Sequence, residues 1–78
     1  MTRKGSSIYI KGEYITLGQL LKFLDLVQTG GEEKLFVVTH DITFNGEPEE
    51  RRGKKLRDGD EVTIDGELYK ICTSNEWY

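Results

Sequence analysis

Leu17, Leu20, Leu21, Leu24 and Val27 recur at three- and four-residue steps. That is the spacing of one helix face, and it predicts an amphipathic helix over residues 17–27. Thr16 and Gln19 bracket its start as a capping box, the Thr16 hydroxyl accepting from the Gln19 amide and the Gln19 side chain reaching back. Gln19 and Lys22 fall off the apolar stripe, toward solvent. Upstream, Ile8-Tyr9-Ile10 and Tyr14-Ile15 are β-branched and aromatic around a Lys11-Gly12 break, which predicts one or two short strands. Thr29-Gly30-Gly31 is expected to end the first helix, because glycine accepts the left-handed conformation that helix ends favour. A second helix is predicted from about residue 31 to 39. Glu32 and Glu33 lie in its first turn and His40 just past its end, the polarity a helix dipole favours. Leu35, Val38 and Phe36 form its expected core face, and two helices so closely linked should pack at an angle.

Beyond residue 40 the period falls to two. Ile42-Thr43-Phe44, Val62-Thr63-Ile64 and Leu68 to Ile71 read as strands. Asp65-Gly66 is a hairpin signal between the last two, and Asn45-Gly46 is a turn cue of the same kind. From Pro48 to Asp60 the one apolar residue is Leu56. This segment is therefore expected to be an exposed linker, and connections of that length inside a small domain are more often functional than idle. Residues 1–7 read as a flexible start and 73–78 as a tail, in which Trp77 carries no clear signal, around one domain over 8–72. The expected fold class is α+β, two packed helices against a small, mostly antiparallel sheet.

Composition narrows the function. A chain of 78 residues is one domain with a thin core. The single cysteine, Cys72, excludes an intramolecular disulfide and a cysteine zinc site, and fits a reducing compartment. The longest apolar run, Leu35 to Val38, is far short of the roughly 20 residues of a membrane span, so a cytoplasmic chain with no membrane partner is expected. A net charge of −3 argues at first sight against nucleic acid. Position reverses that argument. Of eleven basic residues, five fall within seven positions, Arg51, Arg52, Lys54, Lys55 and Arg57, with acids crowded on either side.

Two readings of this block stand. Its guanidinium and ammonium groups can grip several phosphates while Gly53 lets the backbone come close. Alternatively it is a solvated loop whose cations pair with the flanking acids, each exposed pair contributing about 0–1 kcal/mol. Gly30-Gly31 could offer helix amides to an anion, but Glu32 and Glu33 oppose one, and no phosphate-loop spacing is present. His40 beside Asp41 invites acid–base chemistry, although a histidine at a helix end more often caps it. Cys72 reads as a small buried hydrophobe on a strand. One His, one Cys and scattered acids make no metal-ligand spacing. Neither a catalytic site nor a cofactor is expected. Tyr9, Tyr14 and Tyr69 read as strand packing residues, with any exposed one able to stack on a base.

The order of these motifs resembles the S4 RNA-binding domain. Two helices around a double-glycine turn are followed by Ile42-Thr43-Phe44-Asn45-Gly46, a basic stretch, and Leu56-Arg57-Asp58-Gly59-Asp60-Glu61-Val62. The chain is most similar to the small stand-alone bacterial S4-like proteins of the YaaA type. Their Ile-Thr-Leu-Gly-Gln, Lys, Gly-Gly and Arg-Arg-Gly-(Arg/Lys)-Lys-Leu elements stand here at Ile15–Gln19, Lys22, Gly30-Gly31 and Arg51–Leu56. The likeness covers residues 8 to 72 and implies the S4-like (alpha-L) fold. It also implies a non-enzymatic module that holds structured RNA by its backbone. On that likeness Lys22 and Lys34 join Arg51, Arg52, Lys54, Lys55 and Arg57 around one surface, and Gly30, Gly31 and Gly53 permit close approach. The implied partner is ribosomal RNA or an assembling ribosome, with ribosomal proteins nearby and the chain a monomer. Three departures stand out. The usual Arg-Leu-Asp type opening of the first helix is Thr16-Leu17-Gly18, the usual Ser-Arg of the second is Gly30-Gly31, and a usual small residue there is Glu33. The competing function is a protein–protein adaptor that docks an acidic partner surface through the basic 51–57 loop.

Overall fold

Local chemistry sets the helix boundaries along the residues that the computed structural model describes, 6–73. Thr16 is the N-cap of α1 (Leu17–Phe23). Its hydroxyl accepts from the Gln19 amide at 3.2 Å while the Gln19 side chain accepts from the Thr16 amide at 3.0 Å, completing the capping box. The helix is four residues shorter than its apolar spacing suggests. Asp25 adopts φ 63°; its amide donates to the Lys22 carbonyl and that of Leu26 to the Leu21 carbonyl, both at 2.9 Å. This is the paired closure of a Schellman motif, with aspartate where glycine usually stands. Val27 is buried all the same, carried inward by the link and not by the helix.

Thr29 therefore caps the second helix, α2 (Gly30–Thr39), its hydroxyl accepting from the Glu32 amide. The double glycine begins α2 and does not end α1. The inward face of α2 also differs from the expected one. Val37 and Glu33 are buried and Phe36 packs against the core, whereas Leu35 and Val38 are exposed. A buried carboxylate in the inward stripe hides that register from a reading of apolar positions. His40 closes the helix through its amide to the Phe36 carbonyl and stacks its ring on Phe36 at 3.8 Å. Its Nδ1 lies 2.7 Å from an Asp65 carboxylate oxygen.

The strands are β1 (Ser6–Ile10), β2 (Tyr14–Thr16), β3 (Ile42–Phe44), β4 (Glu47–Pro48), β5 (Lys55–Arg57), β6 (Glu61–Ile64) and β7 (Glu67–Thr73). Five of them form a sheet in the order β1-β7-β6-β3-β4, antiparallel except for the parallel β1–β7 pair. β1 begins at Ser6, inside the segment read as a flexible start, and Trp77 lies outside the described residues. Asn45-Gly46 and Asp65-Gly66 take positive φ at both residues, as the tight turns of β3–β4 and β6–β7 require. The remaining two strands, β2 and β5, pair antiparallel as a separate ribbon.

That ribbon corrects the expected linker. Lys55, Leu56 and Arg57 are a strand, not a loop, because Leu56 is fully buried and fixes the alternation. With Leu56 inward opposite Ile15, Lys55 and Arg57 stand outward beside Thr16 and Tyr14. Leu56 joins Leu17, Leu20 and Leu21 of α1 and Ile8, Ile10, Val62, Ile64 and Ile71 of the sheet in one core. The chain is thus α+β, two helices and a mixed sheet.

Candidate nucleic-acid interface

The basic segment is held to α1 by its own backbone. Helix starts leave their first amides without intrahelical partners, and here the Leu17 amide donates to the Lys54 carbonyl at 2.9 Å and the Gly18 amide to the Arg52 carbonyl at 2.8 Å. Residues 51–57 are therefore pinned at one end by the α1 N-terminus and at the other by β2.

Side-chain contacts extend the pinning to α2. Arg52 donates through Nη1 to the Gly30 carbonyl at 2.7 Å and lies 3.5 Å from Glu33 Oε1. Lys22 approaches the other oxygen of Glu33 at 3.3 Å. Glu33, 8% exposed, thus bridges a cation from α1 and one from the basic segment. Gly18 makes room for it: a Cβ at that position would stand 2.5 Å from Glu33 Oε1. Gly30 likewise leaves space for Arg52, whose Nη1 would meet a Cβ there at 3.3 Å. Glu33, expected to oppose an anion, instead organises two cations. The combination of an acid at 33 with a glycine at 18 was its only trace in the sequence.

The other basic residues divide into two kinds. Arg51 is held by Glu49, its Nε 2.9 Å and its amide 3.0 Å from one carboxylate oxygen. The hydrogen bond from the Arg51 side chain holds the Glu49 carboxyl below its usual range against the opposing effect of burial, and raises Arg51 in turn. Lys54, half-buried, places Nζ 4.5 Å over the Phe44 ring. Lys55 and Arg57 both lie over Tyr14, at 5.0 and 5.4 Å from its ring centre. Among the described residues no carboxylate pairs with Lys34, Lys55 or Arg57, whereas the charge of Lys54 also helps hold the Glu49 carboxyl down. The self-neutralised reading therefore describes Arg51 and, in part, Arg52 and Lys54, and not Lys55 or Arg57.

The Arg52 and Lys54 carbonyls hold their residues at the α1 N-terminus, Lys22 in the last turn of α1 joins Arg52 through Glu33, and Lys55 and Arg57 share the Tyr14 ring. No contact joins Lys34 to them; it stands one helical turn beyond Gly30, on the same side of α2. Gly53 and Gly31 are exposed, with nothing nearer than 3.9 Å to an added Cβ, so the fold itself does not require glycine at either. Tyr69 packs against the core, but Tyr9 and Tyr14 are exposed rather than packed.

The turn motifs serve the framework. Asn45 Oδ1 accepts from the Glu61 amide, Asp60 Oδ2 from the Arg57 amide and Asp58 Oδ1 from the Thr73 amide, at 2.7–3.0 Å. These three side chains lock the start of β6, the end of β5 and the end of β7 together, so the cationic strand is rigidly registered against the sheet. Among the described residues, no group of three His, Cys, Asp or Glu side chains is placed to hold a metal ion, and no helix is long and apolar enough to cross a membrane.

The family model for the S4 domain matches residues 8–72. A curated relative, described as the probable ribosome maturation protein RlbA of Bacillus subtilis (strain 168), is 51% identical over 59 residues, which is 76% of this chain and 83% of that protein. No solved structure matches the chain. The matched span runs from the Ile8 of β1 to the Cys72 of β7 and contains both helices, the registering turns and the cationic strand, and on that ground the chain belongs to the S4 domain family.

Proposed function

We propose that this chain is a non-enzymatic module that grips the sugar–phosphate backbone of structured RNA, and that this RNA is ribosomal and still maturing. The observation that carries the reading is the cationic face beside the α1 N-terminus, on which Lys55 and Arg57 have an aromatic ring but no carboxylate as partner. A cation left without a counter-charge on a rigid strand is ready to accept a phosphate at little ordering cost. Membership in the S4 domain family and the similarity to a ribosome maturation protein support RNA, and an assembling ribosome, over other polyanions. The two-helix L of that family is our reading of how α1 and α2 meet, and a monomer is the working unit.

Lys34, Lys54, Lys55 and Arg57 would engage about four phosphates. Log affinity then falls with log salt at a slope of roughly −3. Titration of labelled ribosomal RNA fragments at several salt concentrations tests this, and a flat salt response or absence of binding rejects it. Reversing Arg51, Arg52, Lys54 and Lys55 together is a poor variant, because Arg52 ties the segment to α2 and Lys54 is half-buried. Lys55→Gln with Arg57→Gln is the cleaner one. Both side chains point outward from β5, so the fold should hold while the slope loses about 1.5 units.

A further inference from the structure

Beside the cationic face lies a groove of about 620 Å³ whose walls include Tyr9, Tyr14 and Phe23, with Lys11, Gln19 and Lys22 at its polar margin. Volumes of this order suit a small planar ligand. The three rings are 66%, 41% and 59% exposed, and among the described residues no element covers them. Burying three aromatic side chains would be favourable, yet the fold leaves them in water. β1 alternates Ile8 and Ile10 inward with Tyr9 outward, and the β2–β5 ribbon places Tyr14 outward beside Arg57. Phe23, the last residue of α1, is exposed, whereas Leu20 and Leu21 are buried.

Two side chains belong to both the groove and the cationic face. Lys22 lines the groove and pairs with Glu33, which also holds Arg52. Tyr14 lines the groove and carries Lys55 and Arg57 over its ring. A phosphate seated on those cations would bring its own or the next nucleoside to the mouth of the groove. Aromatic rings next to cations are the chemistry by which proteins take unpaired nucleotides, stacking the base and neutralising the backbone. Bases inside a duplex cannot reach such rings. We infer that this groove is a stacking subsite for a single unpaired base, so that the RNA carries a bulged or looped nucleotide next to the phosphates gripped by the 51–57 segment. The inference rests on the proposed phosphate-binding function and adds to it a preference the backbone alone cannot confer. Gln19, whose side chain is engaged by the Thr16 amide, still has its amide NH₂ group to donate to a base edge.

The test uses the whole chain and three fluorescein-labelled RNA hairpins of one stem sequence: one with a single bulged adenosine, one with an abasic nucleotide at the bulge, and one fully paired. The bulged hairpin is expected to bind about tenfold more tightly than the abasic one, equivalent to about 1.4 kcal/mol, with the same salt slope. Phe23→Ala and Tyr9→Ala, each checked for folding by far-UV circular dichroism, should erase that tenfold difference and leave affinity for the abasic hairpin unchanged. Equal binding of the bulged and abasic hairpins with the slope intact overturns the stacking subsite and leaves the phosphate reading in place. Failure of all three hairpins to bind overturns both.

Discussion

Replacing Gly18 by alanine tests whether Glu33 is held where the structure puts it. Alanine in a helix is ordinarily about 0.5–1 kcal/mol better than glycine. At this position the new Cβ would lie 2.5 Å from Glu33 Oε1, 2.8 Å from Cδ and 3.3 Å from Oε2. The carboxylate must retreat by roughly 1 Å to reach ordinary contact. Its partners are already at the edge of reach, Lys22 at 3.3 Å and Arg52 at 3.5 Å, so a retreat of that size loses at least one of them. A buried acceptor left without a partner costs about 1–3 kcal/mol. Lys22 and Arg52 are each nearly half exposed, which screens the pair and points to the lower end, about 1.5–2 kcal/mol. The helix gain offsets part of this, so Gly18→Ala is expected to destabilise the domain by about 1 kcal/mol, or a fall of 4–8 °C in Tm for a domain of this size. In a Glu33→Ala background the obstacle is gone and the same change should stabilise by about 0.5 kcal/mol. Urea unfolding of the four proteins at 25 °C, followed by far-UV circular dichroism, gives the coupling, expected at about 1.5 kcal/mol. If Gly18→Ala shifts the midpoint equally in both backgrounds, the carboxylate moves freely and Glu33 organises nothing.

Three further outcomes follow from particular contacts. Asp25→Gly should stabilise by about 0.5–1 kcal/mol, because Asp25 holds a left-handed φ of 63° at the end of α1 that glycine adopts without strain; a lower urea midpoint would contradict this. Leu56→Ala should cost about 2–5 kcal/mol, because a fully buried leucine leaves a cavity between α1 and the sheet. A drop that large in a small domain should also weaken RNA binding at 37 °C and spare it at 10 °C. Asp65 is held below its ordinary value of 3.8 by the hydrogen bond from His40 and then by the Asp41 amide. Its folded pKa being the lower, its contribution is present above the unfolded pKa and disappears as pH falls through the folded one. Tm differences between wild type and Asp65→Asn should therefore be largest above the ordinary carboxylate range and close as pH falls below it, and a constant gap would refute the assignment.

Where local chemistry decides an element, the sequence was legible. The Thr16–Gln19 capping box, both Asn/Asp-Gly turns and the period-two strands stand where their residues indicate. Legibility failed where a polar residue did an apolar residue's work or the reverse. Asp25 ends α1 in a conformation that the pattern assigns to glycine, and the apolar stripe runs on past it because Val27 is still buried. Leu56 looked like an exception within a charged linker, yet one fully buried side chain suffices to make a strand of its neighbours. That strand then aims Lys55 and Arg57 outward, which a charge count along the chain cannot reveal. The parallel β1–β7 pair joins the two ends of the described chain, and no short-range spacing signals it.

Glu33 shows the same limit at the site, and resolves two departures from the S4 pattern as one. The pattern puts aspartate where this chain has Gly18, and a small residue where it has Glu33. Read separately, one change removes a carboxylate and the other adds an obstructing acid to a phosphate-binding face. In three dimensions the two positions touch. The absence of a side chain at 18 leaves room for the Glu33 carboxylate of α2 at the junction of the two helices. From there it draws Lys22 of α1 and Arg52 of the basic segment to one point, while Gly30 gives Arg52 access to a helix carbonyl. A lone acid among cations need not weaken a phosphate site. Fixing two long side chains in advance lowers the ordering cost of binding, and the charges of Lys55 and Arg57, which no carboxylate pairs, remain for the ligand. The net charge of −3 conceals this arrangement, because Glu33 and Glu49 serve to hold arginines in place and Asp60 to hold the Arg57 amide.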